Sequence, residues 1–216
     1  MSFNFRSLSF LYLLLLVKMR VAVVGVQGDV EEHVVATKRA MRNLGVDGEV
    51  IATRKRGVVA KSDAVILPGG ESTTISKLIF REGIAEEILL AAEEGKQIMG
   101  TCAGLILLAS EGDEQVAKTG TKLLRLMDIS VRRNAFGRQR ESFQCSLNFE
   151  GVGEVPAVFI RAPAITRIGK DVKPLAHLNE FVVAAQQKNI LALAFHPELT
   201  EDTRIHEYFL RNALKS

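Results

Sequence analysis

Residues Gly100 to Gly104 read Gly-Thr-Cys-Ala-Gly and set one cysteine between two glycines. The apolar pair Ile98 and Met99 leads in, and the run Leu105 to Ala109 leads out. This order predicts a strand, a sharp turn with Cys102 at its tip, and a helix. That is a nucleophile elbow, whose flanking positions leave little room for a Cβ. The free N–H groups of a helix N-terminus favour a thiolate over a thiol. The same residues also suit a small buried cysteine beside packing glycines, so the segment needs a partner. Phe195-His196-Pro197-Glu198 offers one. In extended chain, side chains two apart share a side, which sets His196 beside Glu198 with Pro197 turned away. Pro197 also biases His196 toward an extended backbone. A carboxylate next to an imidazole fixes its tautomer and stabilises the imidazolium.

A Cys–His–Glu set of this kind serves acyl transfer. The Cys102 thiolate attacks a carbonyl, His196 protonates the leaving group and then activates water, and a thioester lies between. The developing oxyanion needs N–H donors. Ala103 supplies one as the residue after the nucleophile, and Gly70, in the turn Pro68-Gly69-Gly70, can supply another.

The elements that must position these groups alternate between strand and helix. Arg20 to Gly25 is a continuous apolar strand of the kind buried on both faces of a parallel sheet. Asp29 can cap a helix from about Val30 to Leu44, stopped by Gly45. Strands follow at Glu49 to Thr53 and Ala64 to Leu67, then a helix beginning near Ser72 to Thr74, a helix from Ile84 to Glu94, and the strand Gln97 to Gly100 that feeds the elbow. The expected fold is α/β, a doubly wound, mostly parallel sheet with right-handed crossovers. Beyond the elbow helix the texture becomes strand-like, which adds antiparallel strands in the C-terminal half: Ile129 to Arg132, Ser142 to Phe149, Ala157 to Ile160, Lys173 to Leu178, Phe181 to Ala185 and Ile190 to Ala194. Thr203 to Ala213 closes the chain as an amphipathic helix. Ligands of open α/β sheets collect beyond the carboxyl ends of the strands. Four polar or glycine-rich segments fall at such ends: Gln27-Gly28-Asp29, Gly69 to Ser72, the elbow, and His196 to Glu198.

The chain has 216 residues, of which 47% are hydrophobic and 25% charged, as expected of one soluble domain with a substantial core. A net charge of +3 is too small to argue for nucleic acid. The basic clusters Arg54-Lys55-Arg56 and Arg132-Arg133 lack an aromatic platform. The two cysteines, Cys102 and Cys145, form neither a disulfide framework nor a CxxC signature, which points to a reducing cytoplasm. His33, His177, His196 and His206 show no ligand spacing, so no metal and no cofactor are expected. Leu8 to Val17 is an apolar run too short to span a bilayer, and no small-x-small cleavage site follows it. Met19 is the expected natural start, with residues 1–18 an extension outside a single domain of residues 19–216.

Six segments in order, VQGDVEEH (26–33), LPGGEST (67–73), GTCAGLI (100–106), RNAFGRQ (133–139), FIRAP (159–163) and FHPELT (195–200), resemble the class I glutamine amidotransferases. The similarity runs from Met19 to the C-terminus and is strongest to the glutaminase subunits of pyridoxal 5′-phosphate synthase, with RNAFGRQ and FIRAP setting these apart from histidine- and purine-pathway glutaminases. The resemblance implies hydrolysis of L-glutamine to glutamate and ammonia, with Cys102 as nucleophile and His196 with Glu198 as the relay. It implies glutamine binding at Gly70, Glu71, Ser72, Arg133, Ile160 and Arg161. An arginine suits the substrate carboxylate through its bidentate fork. It further implies a synthase partner that receives the ammonia, a hetero-oligomeric ring complex, weak activity alone, and a part for Gln27 and Asp29 to His33 in coupling docking to activation. Cys145 matches no family function and is expected as a buried structural thiol. The residues without the resemblance leave three readings open: this glutaminase, a glutaminase feeding another acceptor, and a stand-alone cysteine hydrolase of the same fold.

Overall fold

The structure, a computed structural model, describes residues 18–136 and 142–215. Expectations placed on residues 1–17, and on 137–139 of the RNAFGRQ segment, lie outside the described residues. The first half alternates β1 (Met19–Val24), α1 (Val30–Leu44), β2 (Gly48–Thr53), β3 (Ala64–Leu67), α2 (Ser72–Arg81), α3 (Ile84–Glu93), β4 (Gln97–Thr101) and α4 (Ala103–Leu108). After it come β5 (Ala109–Gly112), α5 (Glu114–Lys118), β6 (Met127–Arg132), β7 (Ser142–Phe149), β8 (Gly153–Ile160), β9 (Ala164–Ile168), β10 (Lys173–Leu178), β11 (Phe181–Gln187), β12 (Ile190–Leu193) and α6 (Arg204–Ala213). Three elements were not foreseen. β5 continues the apolar run of α4 without a turn residue, α5 is a single turn and a half, and β9 is a short strand between Pro163 and Gly169.

The main sheet runs β2-β1-β3-β4-β12-β11-β9-β6-β5, with β10 on β11. The pairings β1 with β2, β1 with β3, β3 with β4 and β4 with β12 are parallel. Beyond β12 the pairings to β11, β9 and β6 turn antiparallel, and β5 with β6 is parallel again. β7 and β8 form a separate antiparallel hairpin. Chain order reverses between β1 and β3, and this switch point opens a crevice at the carboxyl ends of the strands.

Burial explains the apolar strands. Val21 to Val24, Ala64 to Leu67 and Leu193 are fully enclosed, because helices cover both faces of the parallel strands. α4 lies so close to β3 that a Cβ on Gly104 would stand 2.1 Å from the Leu67 carbonyl oxygen. A second device holds the hairpin against the sheet. Phe159 of β8 stacks on Phe143 at 4.8 Å, touches Phe136 at 5.5 Å and reaches Phe195 at 5.7 Å. Aromatic contacts of this geometry add to the burial of their area. The cluster ties the ends of β6, β8 and β12 together beside the crevice.

Candidate active site

Each functional side chain sits where a strand stops. Cys102 follows β4 with φ 47° and ψ −100°, a sparsely populated conformation for a residue with a Cβ. Its N–H still bonds the Leu193 carbonyl at 2.8 Å, so the neighbouring strand pins the strained turn. Glycines at 100 and 104 are needed there. A Cβ on Gly100 would come within 2.5 Å of Leu108 Cδ1. The Cys102 Sγ stands 3.8 Å from the Ile160 carbonyl oxygen, which brings the FIRAP segment to the thiol. His196 follows β12, and its N–H bonds Val158 O of β8 at 2.8 Å.

His196 Nδ1 and Glu198 Oε1 are 2.7 Å apart, with the His196 ring 3% exposed and the Glu198 side chain fully buried. The expected adjacency is present, but its cause differs. Pro197–Leu199 is a 3₁₀ turn rather than extended chain, so Glu198 reaches the ring by curling back. Asp29 also differs from expectation. It stands at the N-cap position of α1 without capping it, and its Oδ2 lies 3.3 Å from His196 Nδ1. The imidazole therefore faces two carboxylates. Burial opposes charge on this ring, but Asp29, the nearby Cys102 sulfur and Glu198 outweigh it and push the imidazole up to about 12, while His196 Nε2 is buried without a hydrogen-bond partner among the described residues. His196 is thus an imidazolium at neutral pH. Burial raises the Glu198 carboxyl, against the pull of His196, whereas the hydrogen bond to His196 lowers Asp29. Asp29, His196 and Glu198 offer three ligand atoms within 4.8 Å of one another, a set that could hold a cation. A protonated ring bonded to both acids leaves such an ion no imidazole lone pair on Nδ1.

The switch-point loops close around this group. Gln27 Oε1 accepts from the Glu71 N–H at 2.8 Å, and the Asp29 N–H points to Gly69 O at 3.4 Å. A Cβ on Gly69 would meet the His196 ring at 2.4 Å, and one on Gly70, where φ is 139°, would meet Gln27 Oε1 at 2.6 Å. Glu71 is the N-cap of α2, its carboxylate accepting from Thr73 N at 3.0 Å and Thr74 N at 2.7 Å. Burial works against ionisation, yet the bonds from Thr74 and Thr73 hold that carboxyl at about 2. The same group lies 3.3 Å from Arg133 Nη2. The Arg133 backbone is held by Asp113 Oδ2 at 2.8 Å, and Asp113 also caps α5. Ser72 Oγ is buried without a hydrogen-bond partner among the described residues. Arg161 follows Ile160 in a left-handed conformation, φ 43°, where β8 leaves the hairpin. Cys102, Ala103, His196, Glu198, Gly70, Glu71, Ser72, Arg133, Ile160 and Arg161 thus fall at strand ends, turns and helix starts around one crevice. Cys145 sits apart on β7 and is half-buried rather than enclosed, with burial raising its thiol.

Behind His196 and Glu198 lie His33, expected only as part of the docking stretch, and His206, which was not foreseen. His33 of α1 is buried at 3.3 Å from Glu198 Oε2 and 3.0 Å from Thr101 Oγ1, and His206 of α6 stands 3.2 Å behind it. The four-residue spacing of Asp29 and His33 puts both on one helical face, which is the signal that was available. Burial drives His33 well below 6.5, followed by the charges of His206 and His196, and burial takes His206 to about 4. A histidine lowered on folding contributes stability above its unfolded pKa, and that stability is lost as pH falls toward the folded value. His206 alone accounts for up to about 3 kcal/mol between pH 6.5 and 4 at 1.36 kcal/mol per unit. Glu198 works in the opposite sense, so the expected result is a difference. Urea unfolding of His206→Gln should lose less stability than the wild type between these pH values, and equal slopes would contradict the assignment.

A family model described as the SNO glutamine amidotransferase family matches residues 23–215. The pyridoxal 5′-phosphate synthase subunit PdxT of Archaeoglobus fulgidus is 73% identical over 193 residues, 89% of this chain and 98% of the relative. The subunit of the same name from Methanocella arvoryzae is 57% identical, covering 89% and 96%. A crystal structure titled glutamine amidotransferase superposes with a TM-score of 0.80 at 45% identity, covering 89% of this chain and 98% of that one. The PurLQS structure from Thermotoga maritima, at 18% identity and a TM-score of 0.60, shares the fold.

Proposed function

We propose a residue-level mechanism of glutamine hydrolysis for this chain, which belongs to the SNO glutamine amidotransferase family. The chain is the glutaminase subunit of a pyridoxal 5′-phosphate synthase, a hydrolase of the glutamine side-chain amide. The observation that carries the mechanism is the buried His196–Glu198 pair at 2.7 Å, its imidazole held protonated beside the Cys102 elbow. Sulfur attacks the amide carbon, the carbonyl electrons move to oxygen, and N–H groups of Ala103 and Gly70 receive that charge. His196 already holds the proton that ammonia needs to leave. The thioester remains. The neutral ring then takes a proton from water as hydroxide attacks the acyl carbon, the C–S bond breaks to return the Cys102 thiolate beside the imidazolium, and glutamate departs with its new carboxyl proton lost to solvent.

Arg133, backed by Glu71, is placed to hold the substrate carboxylate. Ser72, Ile160 and Arg161 complete the pocket, with Glu71 acting through its helix cap and its arginine. Replacing Arg133 by methionine should raise KM for glutamine about 10-fold or more, the loss expected of a charged hydrogen bond, with a smaller change in kcat. An unchanged KM would remove Arg133 from the site.

The ammonia passes to a synthase subunit, and the two proteins form a ring-shaped hetero-oligomer in the cytoplasm. Gln27 and Asp29 to His33 couple docking to activation, with His33 buried behind the crevice. Residues 19–216 form one glutaminase domain. No helix among the described residues is long and apolar enough to cross a membrane. Glutamate release from glutamine, measured with and without the synthase subunit, tests the assignment. Release stimulated by the synthase is expected, and no release in either condition would overturn it.

A further inference from the structure

We propose that His33, itself held by His206, is a positioning residue that presents an N–H to the outer oxygen of Glu198. The inference rests on the glutaminase reading, because it concerns the same relay. Glu198 offers Oε1 to His196 and turns Oε2 away from it. Oε2 is buried, has no well-formed hydrogen bond among the described residues, and stands 3.3 Å from His33 Nε2. A buried carboxylate with one unrestrained oxygen is costly and free to swing, which would cost the imidazolium its orientation.

The tautomer of His33 follows from its neighbours. Burial keeps the ring neutral, so it carries one N–H. Around Nε2 lie Thr101 Oγ1 at 3.0 Å and the Glu198 carboxylate at 3.3 Å. A lone pair on Nε2 would lie 3.3 Å from an oxygen of that carboxylate. The proton is therefore assigned to Nε2, and Nδ1 accepts from His206 Nε2 at 3.2 Å. His206 Nδ1 then remains as a buried acceptor without a partner among the described residues. The reverse assignment would leave a buried N–H orphaned instead, the rarer situation. The resulting chain runs from His206 of α6 through His33 of α1 to Glu198 and His196. Thr101, the residue before Cys102, shares the His33 donor, so the nucleophile's strand and the acid are referenced to one ring.

Steady-state glutamine hydrolysis with the synthase subunit added tests this, using the wild type, Cys102→Ala, His33→Leu, His33→Gln and His33→Asn. Glutamine carries an amide N–H near the position of imidazole Nε2, whereas the shorter asparagine reaches only toward His206. His33→Leu and His33→Asn should lose about 10- to 100-fold in kcat, the size expected for a charged hydrogen bond, with KM within about twofold. His33→Gln should recover most of the rate at a similar melting temperature. If His33→Leu does not fold, the contrast between glutamine and asparagine carries the test. Equal rates for those two variants, or an undiminished rate in His33→Leu, would overturn the proposal. A wild type that hydrolyses no glutamine, or a Cys102→Ala protein that hydrolyses it normally, would instead overturn the glutaminase reading.

Discussion

Cys102→Ser is expected to abolish glutamine hydrolysis while leaving the fold and the docking to the synthase intact. The nucleophile cannot be bypassed: without a thioester, water would have to displace ammonia directly from an unactivated amide. Removal of a nucleophile that acts as a unit with its base costs on the order of 10⁶-fold in kcat. Serine has the shape of cysteine with a slightly smaller polar atom, so the strained turn at φ 47° and its bond to Leu193 O remain. Its alkoxide is much harder to form, because a hydroxyl is far less acidic than a thiol. The check is ammonia release against far-ultraviolet circular dichroism and co-elution with the synthase. Wild-type turnover in the serine variant would place the chemistry elsewhere.

Gly104→Ala should be strongly damaging, because the added methyl group meets backbone beside the elbow. Its Cβ would lie 2.1 Å from the Leu67 carbonyl oxygen and 2.9 Å from the carbonyl carbon, and both are backbone. No rotamer change relieves that contact. Either α4 lifts away from β3, or the end of β3 moves with the Pro68-Gly69-Gly70 turn it leads into. Overpacking of this kind costs up to about 3 kcal/mol. In a domain of this size that lowers the melting temperature by roughly 6–12 °C. Activity should fall too, because the displaced parts carry Ala103 on one side and Gly70 on the other. A melting temperature within about 2 °C of wild type, with full turnover, would show that the helix and strand do not approach so closely.

The parts of this site that were legible in the chain are those whose constraints are local. Two glycines around Cys102, glycines after Pro68, and a proline between His196 and Glu198 each impose a backbone path that needs no distant neighbour to be recognised. β1, β3, α1 and β7 are legible for the same reason, since apolar runs and end signals mark them. What was not legible depends on contacts between remote segments. Asp29 carries every local sign of a helix cap, and its turn toward His196 follows only once β12 has paired with β4. His33 reads as an ordinary helix-face histidine until α6 brings His206 behind it and the 3₁₀ turn brings Glu198 in front. β9 pairs with β6 across a register shift, and so short a strand has no periodicity of its own to announce it. Arg133 and Arg161 were assigned by family resemblance, because an arginine in a loop carries no local sign of its ligand.

The most direct test of the account labels the nucleophile itself. A diazo-ketone analogue of glutamine, which alkylates a thiolate bound in a glutamine site, would be incubated with the chain and its synthase subunit, and the adduct mapped by peptide mass spectrometry. The account predicts a single adduct on Cys102, prevented by excess glutamine and lost in His196→Ala, with Cys145 unmodified. Labelling at Cys145 alone, or no adduct in a preparation that releases ammonia from glutamine, would contradict it.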